Sequence, residues 1–172
     1  VGNNRSIVNN HLDIFEVITG IENANQKFII PFNYGPHTSY SKKVEEVGSS
    51  IKNIIFLHDF LPEEEYFQLI ENTSAIIINS LHQAALNNIF KAIEKHVKVY
   101  LNKNNSVYKW LRNIGFEIFS VEDFKNDVVN NKIKLTEKEA RKNIQTMENE
   151  RNNYSKEHFH SKILESYKLN VN

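Results

Sequence analysis

The sequence alternates short apolar runs with helical patterns, and this alternation restricts the fold more than any other feature. The apolar runs, rich in β-branched residues, lie at 27–33, 54–57, 75–79, 97–101 and 116–119. The helical patterns lie at 10–18, 38–47, from Pro62 onward, and at 83–96 and 106–113. Runs that are apolar almost throughout are typical of parallel strands buried on both faces. We therefore predict an α/β fold, a Rossmann-like parallel sheet with helices on both faces.

Two further patterns concern the ends of this fold. Val1-Gly2-Asn3 resembles the last residues of a strand, so we expect the chain to begin inside or just before such an element. A long polar helical stretch at 136–168 carries its apolar residues on one stripe. We therefore predict a Rossmann-like domain at 1–125 and a helical extension at 126–172 packed on it. The buried centre of the sheet should contain Ile29, Ile55, Ile77 and Val99.

Composition excludes several classes of protein. The 172 residues include no cysteine, so disulfide frameworks and thiolate zinc sites are excluded. A formal net charge of zero gives no general attraction to nucleic acid, so no nucleic-acid partner is expected. No apolar run approaches the roughly 20 residues that cross a bilayer, so we expect no transmembrane segment.

Ligands of open parallel sheets bind outside the carboxyl ends of the strands, so the residues after each apolar run are the first candidates. These are polar at 2–4, 33–37, 58–59, 79–83 and 102–105. Gly20, Gly48 and Gly115 are explained as helix caps. Gly2 and Gly35 follow strands instead, where glycine permits either close approach of a ligand or an ordinary tight turn.

The sequence lacks the glycine-rich loops of common nucleotide-binding proteins, G-x-G-x-x-G and the Walker loop. A diphosphate could still bind at the amino end of the helix predicted near Gln83, because unpaired N–H groups there favour anions. His82 precedes this helix and either donates to phosphate or simply caps the helix and faces water. We find no nucleophile–base pair, so the catalytic residues are unknown, and no metal or cofactor is implied.

Several short motifs occur in an order and spacing that suggest a family. They are Val1-Gly2-Asn3-Asn4, Asn9-Asn10-His11, the segment 30–35, Phe60-Leu61-Pro62 with Glu65-Tyr66, the segment 82–89 and the segment 98–101. Together they resemble the carboxyl-terminal half of glycosyltransferase family 56, the TDP-N-acetylfucosamine:lipid II N-acetylfucosaminyltransferases. The resemblance covers roughly residues 1–120.

The resemblance implies a GT-B enzyme, in which two Rossmann-like domains face each other across a cleft. This half would bind the nucleotide-sugar, a TDP-sugar carrying a deoxy-amino sugar such as N-acetylfucosamine. The other half would bind a lipid-linked saccharide at the inner face of the bacterial cell membrane, for surface polysaccharide synthesis. A fragment without that amino-terminal domain would be inactive. Carried over by motif, the donor-site candidates are Asn3, Asn10, His11, Tyr34, Gly35, Tyr40, His82, Gln83 and Asn88.

The chain departs from the family pattern at two places. His82-Gln83-Ala84 stands where the family has Arg-Gln-Gln, and Asn87 stands where it has glycine. The strength of phosphate binding and the preferred sugar are therefore left open. The alternative is a non-catalytic flavodoxin-like module that binds a nucleotide or regulates a partner. A receiver-type version needs an acidic cluster after the first strands, and Gly2-Asn3 and Asn33-Tyr34 do not supply one.

Overall fold

The computed structural model describes residues 1–21 and 26–153, which form an α/β fold of parallel strands flanked by helices. The five strands are β1 (Phe28–Pro31), β2 (Ile54–Leu57), β3 (Ala75–Ile78), β4 (Lys98–Leu101) and β5 (Phe119–Ser120). The seven α-helices of the described part are α1 (His11–Thr19), α2 (Ser39–Ser49), α3 (Glu63–Glu71), α4 (Leu86–Glu94), α5 (Ser106–Asn113), α6 (Val121–Val129) and α7 (Glu137–Asn153). The predicted fold class is confirmed.

The strands form two parallel sheets, one with the order β1-β2 and the other with the order β3-β4-β5. The first two residues of the chain connect them. The amino group of Val1 donates to the carbonyl of Ile29 in β1 at 2.7 Å. The N–H of Gly2 donates to the carbonyl of Ile77 in β3 at 2.8 Å. Val1-Gly2 thus makes the backbone bonds of a strand end, as expected from the sequence.

The position of Val1-Gly2 marks the point at which the strand order reverses. Counting Val1-Gly2 as the first strand position gives the order 3-2-1-4-5-6 of a doubly wound fold. From that position, β1 and β2 continue to one side, and β3, β4 and β5 continue to the other. The carboxyl edge beside Gly2 is therefore the topological switch point, where ligands of this architecture bind.

Helices cover both faces of the sheet, because successive strand residues point to opposite sides. Ile78, Val99 and Leu101 pack in one apolar cluster with side chains of α3, α4, α5 and α7. Ile77 and Tyr100 pack in a second cluster with α1, α2 and α6. The two clusters together form the core of the described chain.

Several predicted details were wrong. Ile55 is 45% exposed because β2 lies at the edge of the sheet, whereas Ile77 and Val99 are buried as expected. Gly48 is not a cap but lies inside α2, where a Cβ would come within 2.5 Å of the Phe56 ring. The fourth helix begins at Leu86 and not at Gln83.

α6 was not predicted at all, and residues 125 and 126 both lie within it. It is tied to the sheet through Asp127, whose Oδ2 accepts from Lys98 Nζ and from the Tyr100 hydroxyl, both at 2.7 Å. The long helix predicted at 136–168 begins at Glu137, and its portion after residue 153 lies outside the described residues.

Candidate functional site

The two glycines singled out in the sequence lie at the carboxyl edge with left-handed backbone. Gly2 has φ +68° and Gly35 has φ +101°. A Cβ on Gly2 would lie 2.6 Å from Nε2 of His11, and one on Gly35 would lie 3.1 Å from Cγ of Arg5. Both positions therefore require glycine, and both let the backbone approach closely at the switch point.

Asn3 and Tyr34 meet across this edge. Asn3 Nδ2 donates to the Tyr34 hydroxyl at 3.3 Å, and the backbone N–H of Asn3 donates to Oδ1 of Asn9 at 3.3 Å. Tyr34 is 48% exposed, so its ring remains open to solvent. The structure thus brings two predicted site residues together between the amino-terminal segment and the loop after β1.

Asn10 reaches the other side of the switch point. Its Nδ2 donates to the carbonyl of Asn79, just after β3, at 2.8 Å. Asn79 in turn accepts from Asn102 Nδ2, just after β4, at 2.8 Å. Asn79 and Asn102 belong to the polar segments after strands that the sequence marked as first candidates, but neither was included in the donor-site set implied by the family resemblance.

His11 and Tyr40 lie beneath the edge rather than on it. The backbone N–H of His11 donates to the Tyr40 hydroxyl at 2.9 Å. The His11 ring is fully buried and lies between Phe15 and Phe32, at 6.4 and 6.0 Å from their centroids. Burial, and secondarily the charge of the chain's amino terminus, lowers the pKa of His11 to about 4. Burial also raises the pKa of Tyr40. A neutral imidazole in this position supports the floor of the site.

His82 and Gln83 are exposed and lie in the loop that precedes α4. The carbonyl of His82 accepts from the Ser80 hydroxyl at 2.9 Å and from Asn105 Nδ2 at 2.8 Å. These bonds hold the chain out of helical conformation until Ala85, which has φ 56°. Backbone hydrogen bonds therefore hold this loop in place, and they do not involve the side chains of His82 and Gln83.

Asn88 lies in the first turn of α4 and is partly buried. Its Nδ2 donates to the Tyr66 hydroxyl of α3 at 3.4 Å. Burial, with a contribution from nearby Tyr34, raises the pKa of Tyr66 to about 12. Asn88 and Gly2 line the same cavity. Tyr66, which lies close to Tyr34, thus brings Asn88 near the pair formed by Asn3 and Tyr34.

Arg5 is a positively charged residue at this edge of the sheet, and it was not among the site residues predicted from the sequence. Arg5 is only 9% exposed. Nε donates to the Tyr34 carbonyl at 3.3 Å, Nη1 donates to His37 Nδ1 at 3.0 Å, and the guanidinium lies 5.6 Å from the centroid of Phe32. Arg5 thus fixes the loop after β1. No motif surrounds it, so only the fold brings it to the site.

Most of the described residues whose buried side-chain polar atoms lack a partner lie at or just below this edge, and the exception, Gln26, precedes β1 at the opposite edge. Within the described ranges, such side-chain atoms belong to Asn3, His11, Gln26 and Asn33. Oδ1 of Asn3 and Oδ1 of Asn33 both follow strand positions at the carboxyl edge, and His11 lies just below. Because buried polar groups normally find partners, a group of unpaired acceptors at one edge is a place where a ligand with donor groups would bind.

The amino end of α4 adds an electrostatic feature. Its first N–H groups have no partner within the helix, and no side chain caps them. Such an end favours anions. Among residues 1–21 and 26–153, no group of three or more His, Asp or Glu side chains could hold a metal ion. Over the same residues, no helix is long and apolar enough to cross a membrane.

Comparison with known proteins gives no family. Neither the models of known protein families nor the curated proteins match this sequence. The resemblance to glycosyltransferase family 56 therefore stays a prediction.

Proposed function

We propose that this chain is the donor-binding domain of a glycosyltransferase and binds a nucleotide-sugar at the switch point. The donor is a TDP-sugar that carries a deoxy-amino sugar such as N-acetylfucosamine. The acceptor, a lipid-linked saccharide, would be held by a second α/β domain at the inner face of the bacterial cell membrane. Transfer requires both domains, so this chain alone binds the donor without transferring sugar.

The observation that carries the proposal is the group of unpaired acceptors beside the two left-handed glycines. Amide oxygens of Asn3 and Asn33 can accept hydrogen bonds from hydroxyl or ring N–H groups. A nucleotide-sugar presents many hydroxyl groups and a base N–H. Gly2 and Gly35 allow such a ligand to lie directly against the backbone.

The amino end of α4 supports the placement of the diphosphate. Asn88 of its first turn bonds to Tyr66, which lies close to Tyr34, so the uncapped end of α4 lies near the exposed ring of Tyr34. His82, in the preceding loop, is exposed and can add a hydrogen bond from its ring. Helix N–H groups and side-chain donors would then stabilise the charge that develops on the departing diphosphate. The base that deprotonates the acceptor hydroxyl would come from across the cleft.

Isothermal calorimetry with dTDP, a TDP-sugar and thymidine tests the proposal. We expect dTDP to bind, and Asn3→Ala to weaken the binding of dTDP or the TDP-sugar by about tenfold, close to the loss of one or two hydrogen bonds. Asn126→Ala, on an exposed turn of α6, is the matched control and should bind as the parent chain does. Absence of binding by all three ligands, in a chain that is folded by circular dichroism, would reject nucleotide-sugar binding.

A further inference from the structure

The most buried arginine of this chain is the one that has no carboxylate partner. The other three are exposed and each forms an ion pair with a glutamate, Arg112 at 3.2 Å, Arg141 at 2.8 Å and Arg151 at 3.9 Å. Arg5 is only 9% exposed, and it forms no ion pair with any carboxylate of the described residues. Buried charges are normally paired, because a charge that loses its hydration needs compensation. The counter-charge of Arg5 is therefore to be sought in a ligand.

Lys98 shows how the same fold treats its other buried cation. Lys98 is 3% exposed, and its Nζ lies 2.7 Å from Oδ2 of Asp127. The partners of Arg5 bring no negative charge. Nε donates to the carbonyl of Tyr34 at 3.3 Å, and Nη1 lies against both ring nitrogens of His37. A carbonyl and an imidazole orient the guanidinium without neutralising it.

One edge of the guanidinium remains available to a ligand. Nη2 has no hydrogen-bond partner among the described residues, yet it is not sealed from solvent. The rest of the side chain is held by its neighbours. Cγ lies 3.1 Å from the place of a Cβ on Gly35, and the guanidinium lies 5.6 Å from the centroid of Phe32. A guanidinium fixed in this way and open at one edge is oriented in advance to bind an oxyanion.

Further donors lie beside this edge. The backbone N–H groups of Gly35 and His37 make no hydrogen bond within the described part of the chain. Helix α2 begins at Ser39, two residues after His37. Its capping box uses the N–H of Ser41, so those of Ser39 and Tyr40 keep no partner among the described residues. The amino end of a helix also favours negative charge, so every group gathered here favours an anion.

We propose that Arg5, His37 and the amino end of α2 form a phosphate-binding site at the carboxyl end of β1. A phosphate group has several strong acceptor oxygens and can use all of these donors together. The site is distinct from the amino end of α4, and the argument for it does not depend on the proposed function. The phosphate is carried either by the nucleotide or by a separate phosphorylated ligand, and the experiment distinguishes these sources.

Titration of the isotope-labelled chain with inorganic phosphate, followed by NMR, tests the site. We expect saturable shifts of the backbone N–H groups of Gly35 and His37 and of the Nε–H of Arg5. Sodium chloride at equal ionic strength is the control for screening and should not reproduce these shifts. Shifts confined to Asn87 and Asn88 at the amino end of α4, with none at Gly35 and His37, would overturn the inference.

Two matched substitutions test the charge of Arg5. Arg5→Met removes the charge and keeps an unbranched side chain beside Phe32, and it should weaken phosphate binding by at least about tenfold. Arg112→Met removes an exposed guanidinium that is already paired with Glu117, so phosphate affinity should stay within about twofold. Equal losses in the two variants would reduce the effect to general charge attraction and overturn the inference. Should Arg5→Met fail to fold by circular dichroism, the titration of the parent chain still decides.

Titrations with dTDP and thymidine identify the source of the phosphate. If dTDP shifts Gly35 and His37, thymidine does not, and inorganic phosphate displaces dTDP, the nucleotide supplies the phosphate. If inorganic phosphate shifts these two residues and dTDP does not, the site takes a separate phosphorylated ligand. Both results support the site. Failure of dTDP to bind anywhere, beside normal binding of inorganic phosphate, would reject the proposed function alone, so the two proposals can fail separately.

Discussion

The imidazole of His11 occupies the space that a side chain on Gly2 would need: a Cβ there would lie 2.6 Å from Nε2. Gly2 also has φ +68°, a backbone conformation that other residues adopt at a cost. Gly2→Ala should therefore lower the free energy of unfolding by about 1–3 kcal/mol. Gly20→Ala is the control, because Gly20 has φ −79° and a Cβ there would make only ordinary contacts. Urea denaturation measures both, and equal effects would contradict the steric explanation.

The buried His11 ring should make the protein less stable in acid. Its pKa is about 4 in the folded chain against 6.5 for an ordinary histidine, so the unfolded chain binds a proton first as the pH falls. The contribution is zero above about pH 6.5, and stability falls by about 3 kcal/mol as the pH drops from 6.5 to 4. In His11→Leu this part of the pH dependence should vanish, whereas the separate titration of the Val1 amine should persist. Urea titrations between pH 7 and 4 test this, and identical slopes would show that His11 is not held neutral.

Lys98 and Asp127 form a buried ion pair that fastens α6 to β4. Lys98 is 3% exposed and its Nζ lies 2.7 Å from Oδ2 of Asp127. Asp127→Ala leaves a buried cation unpaired and should cost about 3–5 kcal/mol. Replacing the group together, Lys98→Met with Tyr100→Phe and Asp127→Leu, should recover much of that loss, since no charged side chain is then buried without a partner and only the carbonyl of exposed Lys132 loses a donor. Glu137→Ala breaks the exposed pair with Arg141 and should cost under about 0.5 kcal/mol. Similar losses for Asp127→Ala and Glu137→Ala would contradict this account.

The sequence was sufficient for β1 to β4 and for their direction, because parallel strands buried on both faces are apolar in unbroken runs. The last run was predicted as a strand at 116–119, but β5 forms at Phe119–Ser120. The sequence was insufficient where tertiary contacts override local preference. Gln83 and Ala84 favour helix, yet Asn105 and Ser80 bind the backbone of this loop and delay α4 until Leu86.

The missed helix α6 and the incompletely predicted site have similar causes. α6 presents only a narrow apolar stripe, although Ser120 with Asp123 forms a capping box that the sequence does contain. The candidate site was predictable only in outline. The polar residues that follow buried strands could be read directly, but the positions of Arg5 and of the unpaired amide oxygens depend on how the loops fold over the sheet.

Because Ile77 and Ile55 are buried to different extents, we expect their replacement by alanine to destabilise the folded chain unequally. Ile77→Ala should lower the free energy of unfolding by about 2–5 kcal/mol, because Ile77 is 4% exposed and packs in the cluster beneath α1 and α6. Ile55→Ala removes the same atoms from an edge strand where the side chain is 45% exposed, and it should cost far less. Guanidinium denaturation of the two variants gives the comparison. A loss at Ile55 as large as that at Ile77 would mean that the outer face of β2 is covered in solution.

A substitution at Asn87 can test the contribution of the amino end of α4 to ligand binding separately from that of the other site residues. It lies in the first turn of α4 and is exposed, and the helix has no side-chain cap. Asn87→Asp adds a negative charge at the positive end of the helix, which should stabilise the folded chain by about 0.3–1 kcal/mol. The same charge would repel a diphosphate bound there.

We therefore expect Asn87→Asp to raise the Tm slightly while weakening dTDP binding by roughly tenfold, about 1.4 kcal/mol. Thymidine, which carries no phosphate, should bind equally to both forms. Asn87→Ser, which keeps a polar side chain without the charge, is the control and should retain dTDP affinity within about twofold. Calorimetry at low and at physiological salt would show the repulsion diminishing as ions screen it. If Asn87→Asp binds dTDP as well as the parent chain does, the phosphates do not lie at the amino end of α4.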